Sequence, residues 1–155
     1  MVFVADVLGH GAEAAEVARL LKGLVLQGIE LPPDVLVEWL HRSLRYTRGA
    51  CLLALRVGAG GRQLHWAGAG NVRARLWHAG APKGIPLLIP SGIVGYNLRR
   101  IQASTAEVTP PACLAVATDG LADEALEQEP YDAGGLLQRF ARPHDDATVL
   151  VVRWD

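Results

Sequence analysis

The chain has 155 residues, half of them hydrophobic, and its 15 Lys and Arg against 16 Asp and Glu leave a formal net charge of -1. That length supports one domain with a sizeable core, and nothing in that charge balance suggests a basic nucleic-acid surface or a disordered acidic tail. No apolar run reaches membrane-spanning length, no signal-like leader precedes the first strand, and Cys51 and Cys113 lie in apolar runs without zinc spacing, so a cytoplasmic protein with no membrane or nucleic-acid partner is expected.

In chain order, residues 2–5 read as a strand that runs into Asp6 of Asp6-Val7-Leu8-Gly9-His10-Gly11. From Gly11, the positions Ala14, Val17, Ala18, Leu21 and Val25 recur at helical spacing, with Glu13, Glu16, Arg19 and Lys22 largely opposite, which predicts an amphipathic helix ended by Gly28. Pro32-Pro33-Asp34 starts a second helix, with Leu36, Leu40 and Leu44 on one stripe. Residues 50–57 and 62–69 flank Gly58-Ala59-Gly60-Gly61 as a hairpin, and 71–78 continues it as the third strand of an antiparallel meander. Cys51-Leu52-Leu53-Ala54-Leu55 lacks polar alternation, so these strands are expected to be covered on both faces. Further strands are expected over 85–89, 102–108 and 112–117, helical segments over 121–126 and 131–142, and a closing strand over 149–154.

Three acidic motifs fall where these apolar runs meet turns: Asp6, Asp119 of Thr118-Asp119-Gly120, and Asp145-Asp146 before Ala147-Thr148. A single Asp-Gly is ordinarily a turn. Three carboxylates at three strand ends are instead the oxygen ligands that Mg²⁺ or Mn²⁺ takes, with waters kept in place. His10 lies in the same turn as Asp6 and is read either as a general acid or as a solvated helix-start residue. Gly9 and Gly11 permit a tight turn and an open helix N-terminus whose N–H groups could orient water or phosphate. Arg73 and Arg48 are read either as phosphate-steering groups or as solvated arginines, and His144 as a surface residue. Trp39, Trp66, Trp77 and Trp154 are read as packing residues.

In order and spacing, Asp6-x-x-Gly9-x-Gly11, Arg48-Gly49-Ala50, Gly70-Asn71-Val72-Arg73, Ser91-Gly92, Thr118-Asp119-Gly120-Leu121 and Asp145-Asp146-x-Thr148 resemble the PPM group of metal-dependent serine/threonine phosphatases, and within it the short SpoIIE-type domains of bacterial stressosomes. The resemblance covers the whole chain. It implies an α+β fold, an α/β/β/α sandwich of two mainly antiparallel sheets flanked by helices, of the protein phosphatase 2C type. It also implies a centre of two Mn²⁺ or Mg²⁺ ions. Asp6 matches the bridging carboxylate, Val7 gives a backbone carbonyl to the second ion, and Asp119 and Asp145 complete the first, with Gly120 and Asp146 directly behind. Two cations about 4 Å apart ionise a bridging water, so the catalytic role of Asp6, Asp119 and Asp145 runs through a metal-bound hydroxide and needs no protein nucleophile. Gly9, His10 and Arg73 are the candidates for contacts to water or phosphate.

Two departures from the family pattern shape the remaining expectations. Asn71 stands where many members carry an acidic residue, which weakens the case for a third ion. The hairpin that usually precedes the Asp6 strand is missing, since the chain begins five residues before Asp6. An N-terminally short single domain, a weakly bound second ion and a monomer or weak dimer are expected accordingly. The resemblance implies a phosphoserine/phosphothreonine protein phosphatase acting on phosphorylated STAS-domain proteins of a stressosome. A PPM-fold module that docks such partners without turnover is the alternative, and a small-molecule phosphatase a third reading.

Overall fold

The computed structural model describes residues 1–98, 100–130 and 132–155; Tyr131, which opens the helix expected over 131–142, lies outside the described residues. The elements are β1 (Val2–Val7), α1 (Ala12–Gln27), α2 (Pro33–Ser43), β2 (Ala50–Val57), β3 (Gln63–Ala69), β4 (Arg73–His78), β5 (Ile85–Pro86), β6 (Ser104–Glu107), β7 (Ala112–Ala117), α3 (Ala133–Phe140) and β8 (Val149–Trp154), with a 3-10 turn at Asp123–Leu126. They form two compact units, Met1–Asn71 with Ile89–Ala106, and Val72–Leu88 with Glu107–Asp155.

The first unit holds a sheet in the order β1-β2-β3-β6. β1 and β2 run antiparallel with Asp6 opposite Cys51, and β2 and β3 run antiparallel with Leu55 opposite Trp66. α1 buries Ala14, Val17, Leu21 and Val25, and α2 buries Leu36, Val37 and Leu40. Both stripes follow the 3.6-residue period, and all but Ala14 pack with Leu44 in one core with Leu52, Ala54, Ala67 and Ala69 of the sheet. Ala18, expected on the buried stripe, is exposed. Leu53 and Leu55 point to the other face and are equally buried, at 0% and 1% exposure, so this strand is covered on both sides as its unbroken apolar run predicts. Gly28 ends α1 where a Cβ would run into Trp39 and Leu36 of the following helix.

The second unit holds a sheet in the order β5-β4-β7-β8. β4 pairs β7 antiparallel from Arg73 opposite Ala117 to His78 opposite Ala112, and β8 pairs the other edge of β7. Every residue of β7 is buried. Cys113, Ala115 and Ala117 share a core with Trp77, Leu121, Leu126 and Leu136, the last from α3. Burial pushes the Cys113 thiol above its ordinary pKa, an effect the Arg153 cation only partly offsets. Asp132 caps α3 by accepting the Gly135 N–H at 2.7 Å.

Several expectations are corrected. The meander stops at β3, because residues 73–78 pair with β7 in the other sheet. The turn is made at Gly70, whose φ of 109° is open to glycine alone at little cost and whose Cα passes too close to Cys51 for any side chain. The strand expected over 85–89 shrinks to two residues, since Pro86 and Pro90 cannot donate to a ladder. The 102–108 strand narrows to Ser104–Glu107. The 121–126 segment is a single 3-10 turn, and the last helix spans only Ala133–Phe140. In β8, an edge strand, Leu150 is half-buried, and Cys51 is half-buried. Among the described residues no helix is long and apolar enough to cross a membrane.

Candidate metal centre

Asp6 is the penultimate residue of β1, inside the strand rather than after it, and both it and Val7 are half-buried. Beyond Val7 the chain turns through Gly9 and Gly11, with φ of 79° and 85°, into α1. Arg48 shapes this turn. Its Nη1 donates to the Leu8 carbonyl at 2.9 Å, and its Nη2 to the Glu13 carboxylate at 2.6 Å. A side chain at Gly9 would displace that guanidinium, and the positive φ there favours glycine. The Leu8 N–H closes the same loop on the Gly49 carbonyl at 3.2 Å. His10 is exposed at the tip. Gly11 caps α1 with no side-chain hydrogen bond, which leaves first-turn N–H groups without a capping side chain.

In the second unit, Asp119 follows β7 and is half-buried, while Asp145 and Asp146 lie ahead of β8 and are exposed. Their loops are bound side by side. The Thr118 N–H donates to the Thr148 carbonyl at 3.0 Å, and the Thr148 N–H to Thr118 Oγ1, also at 3.0 Å. Thr118 is 2% exposed and is the polar residue buried most completely among those described, so its hydroxyl depends on these partners. Gly120 permits the approach, because a Cβ there would collide with the main chain of Asp146. The Gly120 carbonyl then accepts the Arg142 N–H at 2.7 Å, and the Ala122 N–H donates to the Phe140 carbonyl at 2.8 Å.

Arg73 clamps the Asp119 loop as Arg48 clamps the Asp6 loop. Nη2 donates to the Leu121 carbonyl at 2.6 Å, and Nη1 to the Ala122 carbonyl at 3.2 Å and the Asp123 carboxylate at 3.1 Å. Asp123 also takes Arg142 Nη2 at 3.4 Å. The guanidinium's observed partners are thus protein carbonyls and a carboxylate. Sequence reasoning left Arg48 and Arg73 between two readings and assigned no task to Thr118. The only local hints are an arginine beside a glycine, an arginine opening a strand, and a threonine next to the acidic residue.

The structure therefore brings Asp119 together with the Asp145-Asp146 loop within the second unit, while Asp6 and Val7 belong to the first. Among the described residues, no three His, Cys, Asp or Glu side chains are already clustered closely enough to hold an ion. The donor chemistry fits a hard divalent cation: carboxylates and a main-chain carbonyl, all oxygen, half-buried at Asp6 and Asp119 and water-accessible at Asp145.

Two antiparallel sheets carrying three helices have the fold of the PP2C-like phosphatases, the class expected from the sequence. A solved structure described as "The bacterial stressosome: a modular system that has been adapted to control secondary messenger signaling" matches at a TM-score of 0.83 and 25% identity, covering 97% of this chain and 83% of that one. RsbX in complex with magnesium matches in fold at a TM-score of 0.80 and 23% identity, over 96% of this chain and 77% of that one. The SiaA-PP2C domain of Pseudomonas aeruginosa does so at 0.75 and 17%, over 99% and 75%. The sequence profile of the family described as Stage II sporulation protein E (SpoIIE) matches residues 1–144, and the chain belongs to that family. Its match includes Asp6 and Asp119 and ends one residue before Asp145. Among characterised relatives, phosphoserine phosphatase RsbX of Bacillus subtilis (strain 168) is 29% identical over 118 residues, which is 76% of this chain and 59% of that protein. The match thus spans less than two thirds of the relative's length.

Proposed function

We propose that this chain is a metal-dependent phosphoprotein phosphatase, cytoplasmic, acting on phosphoserine or phosphothreonine in STAS-domain proteins of a stressosome. The observation that carries the reading is membership of the SpoIIE family across a segment holding both Asp6 and Asp119. The similarity to phosphoserine phosphatase RsbX supports the reaction, and the similarity to a stressosome structure supports the setting.

In this reading Asp6, the Val7 carbonyl, Asp119 and Asp145 are the ligands of two Mn²⁺ or Mg²⁺ ions, and Asp146 orients the Asp145 loop. When bound, the ions supply Lewis acidity and a water ionised near neutral pH. The chain's own residues do the rest. Arg48 holds the turn after Asp6 at the Leu8 carbonyl, and Arg73 holds the loop after Asp119 at the Leu121 carbonyl. Thr118 ties that loop to the segment after Asp146. The uncapped first turn of α1, beside Gly9 and His10, offers N–H groups to a phosphate oxygen or to water.

The test follows phosphate release from a phosphorylated STAS-domain protein and from an aryl phosphate, with Mn²⁺, Mg²⁺ or chelator. Release from the phosphoprotein that chelator abolishes and Mn²⁺ restores is the expected result. Binding of the phosphoprotein with no release under any metal would make the chain a docking module, and release from the aryl phosphate alone a small-molecule phosphatase.

A further inference from the structure

The first unit carries a second, chemically distinct feature. The C-terminal end of α2 and the residues just past it present His41, Arg42 and Arg45, and the segment after Pro90 returns beside them with Tyr96, Leu98 and Arg100. Together they line two adjoining hollows of about 570 and 280 Å³ that share His41, Arg45 and Leu98. Both hollows are open to solvent, and Tyr96 is 77% exposed.

The charge here is one-sided. Among the described lining residues the cations are Arg42, Arg45 and Arg100, and the carboxylate is Glu38, which lies 3.8 Å from Arg42. Arg45 and Arg100 have no ion pair among the described residues. In a chain of net charge -1, this places unpaired guanidinium groups around a concavity with an apolar and aromatic wall. The walls are also fixed relative to each other: His41 Nδ1 accepts the Gly95 N–H at 3.0 Å, which joins α2 to the returning segment. A nitrogen that accepts carries no proton, so the imidazole is neutral in this arrangement.

We propose that this cradle is a docking surface for an acidic segment of a partner protein, one that presents several carboxylates along an extended stretch. Arginine is suited to the task because its planar fork pairs with carboxylates and is weakly hydrated. Arg45 lines both hollows while Arg42 and Arg100 line the smaller one, a spread of guanidinium groups that suits charges spaced along a peptide better than a single phosphate. Tyr96 and Leu98 offer the apolar contact that a peptide carries between its charges. A nucleic-acid strand is disfavoured, since roughly six to ten phosphate contacts are typical of such interfaces and the lining holds three cations. The proposal goes beyond the phosphatase reading, because such docking requires no turnover.

Fluorescence anisotropy with the full chain tests it. The probes are a labelled peptide alternating Glu and Ser, its Gln-Ser counterpart, a Lys-Ser peptide, a single-stranded oligothymidine and inorganic phosphate as competitor. The acidic peptide should bind with an affinity that falls as salt rises, the Gln-Ser peptide should not bind, and Arg45→Gln with Arg100→Gln should weaken binding about tenfold. Charge reversal, Arg45→Glu with Arg100→Glu, should transfer the preference to the Lys-Ser peptide, a gain that misfolding cannot produce. The proposal is overturned if the natural chain ignores the acidic peptide, if the double Gln variant binds it equally, or if oligothymidine or free phosphate displaces it at lower concentration than the peptide itself. This readout is independent of hydrolysis, so failure here and failure of the phosphatase reading are distinguishable.

Discussion

Arg48 donates to the carbonyl of Leu8, two residues past Asp6, across 40 positions of sequence. Arg73 repeats the relationship in the second unit, donating to the carbonyl of Leu121, two residues past Asp119. In each case an arginine with less than a third of its side chain exposed fixes the peptide that follows a candidate ligand. Replacing either by Met removes hydrogen bonds to a charged donor and leaves carbonyls with fewer partners, at a cost of about 1–2 kcal/mol each in chemical denaturation. Lys should recover only part of the loss, since a single ammonium cannot reproduce a fork that spans two acceptors. Weaker Mn²⁺ binding by calorimetry, beyond what the stability change explains, is the sign that the clamp serves the site.

Removing a ligand should act differently. Asp6→Ala, Asp119→Ala and Asp145→Ala each delete a carboxylate proposed to touch metal and should strongly reduce Mn²⁺ affinity and phosphate release. Asp146→Ala should reduce both less. Calorimetric titration of the four variants checks the order, and unchanged Mn²⁺ affinity in Asp119→Ala would remove it from the ligand set.

Gly120→Ala separates the two acidic loops of the second unit by steric means alone. The added methyl meets the Asp146 main chain, so either the β7 end or the Asp146 segment must move. A destabilisation of about 1–3 kcal/mol is expected, with faster amide exchange at Thr118 and Thr148, whose mutual hydrogen bonds depend on that spacing. Protection at both amides equal to the natural chain's would show that the loops tolerate the methyl.

The link between His41 and Gly95 gives the first unit a pH response. Burial, then the nearby Arg45 and Arg42 cations, hold the His41 pKa below its ordinary value of 6.5. The unfolded chain therefore takes up the proton first as pH falls. Stability from this group is complete above about pH 6.5 and declines as pH drops through the lower folded-state value. His41→Asn, whose side-chain oxygen is an acceptor that does not titrate, should flatten the dependence between pH 7 and 5 in denaturant midpoints. An identical slope in both proteins would assign the response to other groups.

The core itself gives the plainest check. Leu55 is 1% exposed within a strand covered on both faces, so Leu55→Ala should cost about 2–5 kcal/mol through lost contacts and a residual cavity. A cost near zero would place that strand at the surface.

The local elements were legible in the sequence because they rest on local signals. The stripe Leu36, Leu40, Leu44 and the unbroken run of β7 each admit one reading, and Pro33 and Gly28 set helix ends within a residue or two. The partner of β4 was not legible: residues 73–78 have strand character in either sheet, and only the close passage of Gly70 over Cys51 shows that the chain leaves β3. Leu150 is half-buried in an edge strand, and edge position is a property of topology rather than of the residue. At the site, the acidic motifs were visible as residue types next to turns. The clamps were not, because Arg48 and Arg73 find their acceptors 40 and 48 positions away, a distance over which no spacing rule operates.

The departure of the chain at Gly70 also bears on synthesis. The first unit needs residues 89–106 and the second needs 72–88 together with everything from 107 onward, so the two are interleaved along the polypeptide. A nascent chain emerging from the ribosome cannot complete the first unit until residue 106 is clear, and β7, an inner strand of the second, gains its β8 neighbour only after residues 149–154 are made. The second sheet therefore closes only once residues 149–154 have emerged, and a stop codon that removes them takes away one side of its most buried element.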